Sequence, residues 1–498
     1  MKTYLGIDIG TYESKGVLVD RDGTIVASAA RPHKMIVPRP GWAEHRANED
    51  WWEDFVWLSG KLIAGSGIAP SDIKAVGTSE IGPCMLPVDA AGDPLMNAVL
   101  YGVDTRALKE VEELTAAIGA DTILKRCGNA LTSQSVGPKI LWLKRNRPDI
   151  YNQAHKFLNS TSFLVHRLTG RFVVDHYTAS SSGPLYLADE NVWTAALAPE
   201  VTSVDRLPEL AWTTEIAGGV TAGASEQTGL AEGTPVVVGT VDAAAEAVSV
   251  GVVEAGDMML MYGTTIFTIL ITPERSNDAR LWHAPWLFSG QNACMAGLAT
   301  SGALTHWFRE QFARELDPTA AMATLAGEAE LSPPGARGLV FLPYFSGERT
   351  PIHDPHAKGA LFGLNLAHTR ADIYRALLEG IAYGTNHVID AYIEDGQVPR
   401  SIYAVGGGVR NPVWTQATSD ALGRSQKLSR SSIGASYGDA FLAALAIGDV
   451  RRDAITEWNP VVAQVDPEAA NAALYRRQYG VFRDLYSRTR DLMERLEG

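Results

Sequence analysis

Cysteine is scarce in this 498-residue chain. Cys84, Cys127 and Cys294 are the only three, far apart and with no C-x-x-C pair, which argues against a disulfide framework or a thiolate zinc site and fits reduced thiols in a cytoplasmic protein. Positive charge is also short, with 43 Lys and Arg against 57 Asp and Glu, a net charge of −14 and a pI near 5.3. That balance opposes a sequence-independent grip on nucleic acid or on an anionic membrane, so an anionic ligand has to be held by local dipoles and a metal. No apolar run approaches the length of a membrane span, and no leader pattern opens the chain, because Asp8 interrupts the first strand. The G-x-x-x-x-G-K-[ST] loop, the H-E-x-x-H helix and the G-x-S-x-G elbow are all missing, so P-loop transfer, zinc proteolysis and the α/β-hydrolase triad lose their usual signatures.

What is present is ordinary globular composition, 46% apolar and 20% charged. The length exceeds what one core organises, which predicts two large domains with a cleft between them. Residues 4–9 and 16–19 read as buried strands joined by a tight Gly-Thr turn. Gly10 lets the backbone approach a ligand, Thr11 offers a hydroxyl, and the N–H groups of the turn can face an anion. Asp8, at the strand end, is placed to hold a hydrated metal ion. The same four residues are also common turn chemistry, so the reading leans on Gly239-Thr-Val-Asp242 and Gly263-Thr-Thr265.

The loop 38–45 carries Trp42 and Glu44. Trp42 is expected as an exposed platform for a sugar face, whereas Trp51, Trp52 and Trp57 lie on a helix and read as core. Asp104 and Arg106, two apart just past a strand, can face a ligand or form a structural ion pair. The domain boundary is expected near 230–245, dividing the chain into 1–243 and 244–498. There a Val-rich strand, 236–242, runs into a small-residue helix, and 258–263 with 265–271 repeats the opening hairpin. His353 and His356 are separated by a proline that breaks the helix needed to aim both rings at a metal. Gly406-Gly-Gly408 follows a strand, but Asn411 stands where a dinucleotide loop has glycine. Residues 438–448 read as an apolar, alanine-rich helix, and Tyr475, Phe482, Leu485, Leu492 and Leu496 share one face of a terminal helix expected to pack along the body. Phosphoryl transfer suits this set, because backbone donors and Mg2+ take up phosphate charge while one carboxylate aligns and deprotonates the acceptor hydroxyl. Asp242 suits that base, and Asp8 the metal.

Asp8-Ile-Gly-Thr-x3-Lys15, Gly41-Trp-Ala-Glu44, Asp104-x-Arg106, Pro235-x3-Gly239-x2-Asp242, Gly263-Thr-Thr265, 341–351, Arg375-Ala-x2-Glu-Gly380 and Gly406-Gly-Gly-x2-Asn411 occur in this order over nearly the whole chain. In that pattern the chain resembles the FGGY carbohydrate kinases of the actin-like ATPase fold, nearest to the xylulose kinase-like members. The resemblance implies an α/β protein of two ribonuclease-H-like domains with a central cleft, the first domain binding sugar and the second nucleotide. It implies ATP- and Mg2+-dependent phosphorylation of a sugar or polyol hydroxyl, with a pentulose or related four- to six-carbon acceptor. Asp242 would be the catalytic base, with Asp8 and Asp242 at the metal. Thr11 and Thr264 would meet the β- and γ-phosphates, with Gly10, Lys15, Gly263 and Thr265 beside them, and Gly406, Gly407, Gly408 and Asn411 would take the adenosine side. Trp42, Glu80, Ile81, Asp104 and Asp242 would line the acceptor site. Glu80-Ile-Gly-Pro83 replaces the polar groups that relatives use there, which predicts an acceptor other than D-xylulose or glycerol. A homodimer is left open, and no nucleic acid or membrane partner is expected. The rival readings are a kinase of the same fold acting on a dione or onate acid, and an ATP-driven switch of the actin and chaperone type.

Overall fold

A computed structural model describes residues 2–430 and 433–496. Two compact units emerge. The first comprises Met1–Val253, Ile271–Ala293 and Ile433–Pro460, and the second Glu254–Leu270, Cys294–Ser432 and Val461–Gly498. Compactness therefore does not follow one cut after residue 243, because the helix Asp242–Ser249 stays with the first unit and the chain returns there twice. No helix among the described residues is long and apolar enough to cross a membrane.

The first unit is built on the opening hairpin. Thr3–Ile9 is buried at every position, as a strand covered on both faces must be, and pairs antiparallel with Glu13–Asp20 and parallel with Ile73–Glu80. The seven-stranded sheet runs Ile216–Gly219, Pro235–Val237, Ile73–Glu80, Thr3–Ile9, Glu13–Asp20, Ile25–Pro32, with Thr240–Val241 also on Ile73–Glu80. The strand expected over 236–242 is split because Gly239 has φ 76°, and a Cβ there would lie 2.3 Å from the Thr78 carbonyl oxygen. That break turns the chain so that the helix Asp242–Ser249 starts directly at the strand end.

Onto this sheet packs the late helix Ala435–Ala446, backbone against backbone. A Cβ at Gly6 would stand 1.9 Å from the Ser436 carbonyl oxygen, one at Gly77 2.2 Å from that of Asp439, and one at Gly438 1.9 Å from that of Ala245. Trp51 and Trp52 are core, as expected, but Trp57 is exposed.

The second unit repeats the plan. Its hairpin Asp257–Tyr262 and Ile266–Thr272 is joined in parallel by Ser401–Val405, then by Gln426–Ser429 and Val461–Val465. The terminal helix Ala472–Glu494 buries Tyr475 and Phe482 against Tyr344 and Tyr383. Leu492 and Leu496 remain exposed, so the apolar face expected there is used only along part of its length.

Candidate active site

Sheet register creates the first constellation. Asp8 is cross-strand partner to Lys15 on one side and to Ser79 on the other, which puts the three side chains in a row on one face. Ser79 Oγ lies 3.1 Å from Asp8 Oδ1 and 2.7 Å from Asp439 Oδ2. A hydroxyl has one proton to donate, so it satisfies both carboxylates only if one of them carries a proton and donates back. Asp439 meets that requirement. It is 1% exposed, its Oδ1 has no hydrogen-bond partner among the described residues, and burial with the charges of Asp8 and Asp242 pushes it well above the carboxylate range. The native state thus holds a proton that the unfolded chain releases above its ordinary carboxylate value, and stability falls as pH rises from there toward the raised native value. Asp439→Asn removes that dependence. It is expected to raise the melting temperature at neutral pH by a few degrees and to flatten its decline between mildly acidic and alkaline buffer; an unchanged slope by calorimetry would refute the protonated state.

Asp242 opens its helix half-buried, with Oδ1 accepting from the Ala243 N–H at 2.6 Å, and Glu246 follows one turn on. Burial and the charge of Asp8 push Asp242 upward; burial likewise raises Asp8 to about 6, opposed only in part by the Ser79 bond and Lys15. Glu246 is pushed up to about 7 by burial and by Asp8. Among the described residues no three His, Cys, Asp or Glu side chains assemble a metal cage. Mg2+ does not need one, since it takes one or two carboxylates and completes its shell with phosphate and water.

Behind the Gly10-Thr11 turn stand two histidines that the sequence reading passed over, His45 buried and His33 half-buried with its side chain 5% exposed. His33 Nε2 lies 2.9 Å from the Gly10 carbonyl oxygen, and His45 Nε2 3.1 Å from that of Thr11. Thr11 Oγ1 pairs with the Tyr101 hydroxyl at 3.2 Å. Lys15 is half-exposed and 3.4 Å from Glu13.

Four residues expected at the acceptor wall are used otherwise. Trp42 has guanidinium carbons at 3.5 Å (Arg39) and 3.8 Å (Arg106) from its ring centroid. Two cations that close cannot share a face, so both faces are covered and none is left for a sugar. The ring lines a cavity of about 610 Å³ with Glu44, Asn97 and Trp142, and neither Asp8 nor Asp242 borders it. Asp104 is 1% exposed and accepts from Ala43 N at 2.7 Å and from Arg106 at 2.8 and 2.9 Å, so it is the structural ion pair. Glu80 is fully buried and accepts from Ser160 Oγ and Thr161 N at the start of the helix Ser160–Thr169, and Ile81 sits in the core. What the 80–83 segment does offer is space: a Cβ on Gly82 would stand 3.1 Å from Tyr101 Cβ, so glycine there seats the Tyr101 ring.

In the second unit the Gly263-Thr264-Thr265 turn is held by the helix Gly302–Phe312. Gly302 N donates to the Gly263 carbonyl oxygen at 3.0 Å, and Ser301 N and Ala303 N to that of Thr264 at 3.0 and 3.2 Å. Gly406 has φ 96°, and a Cβ there would meet the Tyr262 carbonyl oxygen at 2.7 Å; Gly407 is open on its Cβ side, and Gly408 packs on Trp414. Asn411 caps the helix Pro412–Leu422 by accepting from Trp414 N at 3.2 Å.

Residues 3–249 match the FGGY family of carbohydrate kinases, N-terminal domain, and residues 258–447 its C-terminal domain. The crystal structure of xylulose kinase from Rhodospirillum rubrum superposes with a TM-score of 0.93 at 31% identity, covering 99% of this chain and 100% of that one. The xylulose kinase of Escherichia coli K12 is 29% identical over 98% of this chain and 100% of its own, and the ribulokinase of Geobacillus thermodenitrificans 29% over 100% and 97%. With both domain types matched in order and the two-domain α/β fold of the actin-like ATPases in place, the chain belongs to the FGGY family of carbohydrate kinases, which phosphorylate a sugar or polyol hydroxyl with ATP.

Proposed function

We propose that the first unit carries the acceptor and the catalytic base and the second the adenosine, and that the acceptor is a pentulose or related four- to six-carbon polyol. The observation that carries this reading is the place of Asp242, at the start of the helix Asp242–Ser249 directly after the strand Thr240–Val241, whose Thr240 pairs with Ser79, the cross-strand partner of Asp8. Asp242 takes the proton of the acceptor hydroxyl as its oxygen attacks the γ-phosphorus; the new O–P bond replaces the bond to the β-phosphate oxygen, and ADP leaves. Gly10, Thr11, Gly263, Thr264 and Thr265 supply donors to the phosphates, with Lys15 alongside. Gly406, Gly407, Gly408 and Asn411 receive the adenosine. Asp8 and Asp242 would hold Mg2+, which would neutralise phosphate charge. The three buried free thiols support a reducing, cytoplasmic setting.

Acceptor choice rests on Tyr101, which bonds Thr11 and feels the charge of Asp242. The 80–83 segment presents no side-chain donor beside it, and a site lacking a hydrogen-bonding group discriminates differently from one that has it. In a panel of ketoses, aldoses and polyols with a coupled ADP readout, kcat/KM for D-xylulose and for glycerol is expected to fall below that of another polyol or ketose. D-xylulose or glycerol as the clear best acceptor would show that this segment does not set specificity, and no acceptor-dependent ADP at all would remove the acceptor reading.

A further inference from the structure

The tautomer of His45 is fixed by its neighbours. Trp51 Nε1 donates to His45 Nδ1 at 3.0 Å, and an indole N–H can only donate, so Nδ1 carries no proton and Nε2–H donates to the Thr11 carbonyl. His33 is placed oppositely. Its Nε2 faces the Gly10 carbonyl, which only accepts, and its Nδ1 lies 2.9 Å from Asp54 Oδ2. Asp54 is 1% exposed and also accepts from Ser14 Oγ at 2.7 Å and faces Arg31 Nε at 3.1 Å, as an ionised carboxylate does. Both His33 nitrogens therefore donate, and the ring is an imidazolium. The rings meet edge-to-face at 5.0 Å, which favours one charge over two.

In a trans peptide the C=O and the following N–H point in opposite directions. We propose that His33 and His45 clamp the Gly10-Thr11 turn for an anionic ligand: by holding the Gly10 and Thr11 carbonyls from behind, they aim the Thr11 and Tyr12 N–H groups to the other side, with the His33 charge behind them. This deepens the reading that the turn meets phosphate, and rests on it. The two are positioning residues, acting through the backbone. Burial draws His33 down, but Asp54, the Gly10 carbonyl and Asp50 outweigh it and leave it above the ordinary imidazole value; burial and the His33 charge drive His45 down to about 4. The charged groups facing the pair are Asp54, Asp50 and Arg31.

Nitrogen NMR of the full chain labelled at histidine, without ligand, reads the claim directly. At neutral pH one ring is expected doubly protonated, its signal lost in His33→Gln, and one neutral with the proton on Nε2, its signal lost in His45→Gln. Calorimetry with Mg-ADP and with adenosine supplies the second readout. His33→Gln keeps a donor but not the charge and should weaken ADP by about 3- to 10-fold while adenosine is unmoved; His45→Gln should bind ADP more tightly than His45→Leu. A neutral His33, an Nδ1–H tautomer at His45, or equal losses for ADP and adenosine would overturn the clamp. If wild-type protein bound no ADP, the phosphate reading of the turn would fall, and the protonation states would still decide the clamp.

Discussion

Asp242→Asn is expected to lower kcat by about 10²–10⁴, the usual worth of a positioned general base, while ATP binding survives. The asparagine fits the same helix start and can still accept from the Ala243 N–H through its carbonyl oxygen, so folding is not at stake. The loss falls on kcat because the proton leaves the acceptor only in the transition state. Steady-state kinetics with a saturating acceptor, set beside calorimetric ATP affinity, checks this. Turnover like that of the wild type would remove Asp242 as the base.

Gly6→Ala and Gly438→Ala carry the second large effect, on stability. Each new methyl would stand 1.9 Å from a backbone carbonyl oxygen, and backbone cannot swing aside as a side chain can. The helix Ala435–Ala446 must then lift from the strand Thr3–Ile9 in Gly6→Ala and from the helix Asp242–Ser249 in Gly438→Ala, each at a cost of about 3 kcal/mol. Gly60→Ala and Gly65→Ala are the internal control: they lie in the helix Glu53–Ser66 with nothing within 4 Å of the added methyl, and each should stabilise by about 0.5–1 kcal/mol. Chemical denaturation of the four variants separates the cases. Equal stability across them would mean that the helix does not pack as closely as these distances require.

The opening hairpin and its second copy were legible in the sequence because buried strands and a Gly-Thr turn are local patterns, and so was the position of Asp242 at a helix start, because the helix follows its strand directly. The acceptor wall was not. A Trp in a Pro and Gly loop has the composition of an exposed platform, but whether its faces are free depends on Arg39 and on Arg106, the latter 64 residues away. Asp104 and Glu80 likewise are spent on Ala43 and on the start of Ser160–Thr169, partners 61 and about 80 residues distant. Asp439 did leave a signal, as the one acid in an apolar alanine-rich helix. A buried acid there demands a partner, and that partner, Ser79, is 360 residues earlier. His33 and His45 left none, because their role is to hold two carbonyls and no motif encodes that.

Phosphoryl transfer to a hydroxyl with Asp242 as the base leaves a product of defined mass. Mass spectrometry of one reaction, containing wild-type protein, ATP, Mg2+ and the best acceptor from the panel, detects that product when run beside Asp242→Asn. One phosphorylated acceptor is expected for each ADP formed by the wild type, and a phosphorylated product about 10²–10⁴ slower to appear in the variant. ADP accumulating without phosphorylated acceptor, or product forming equally fast in both, would contradict it.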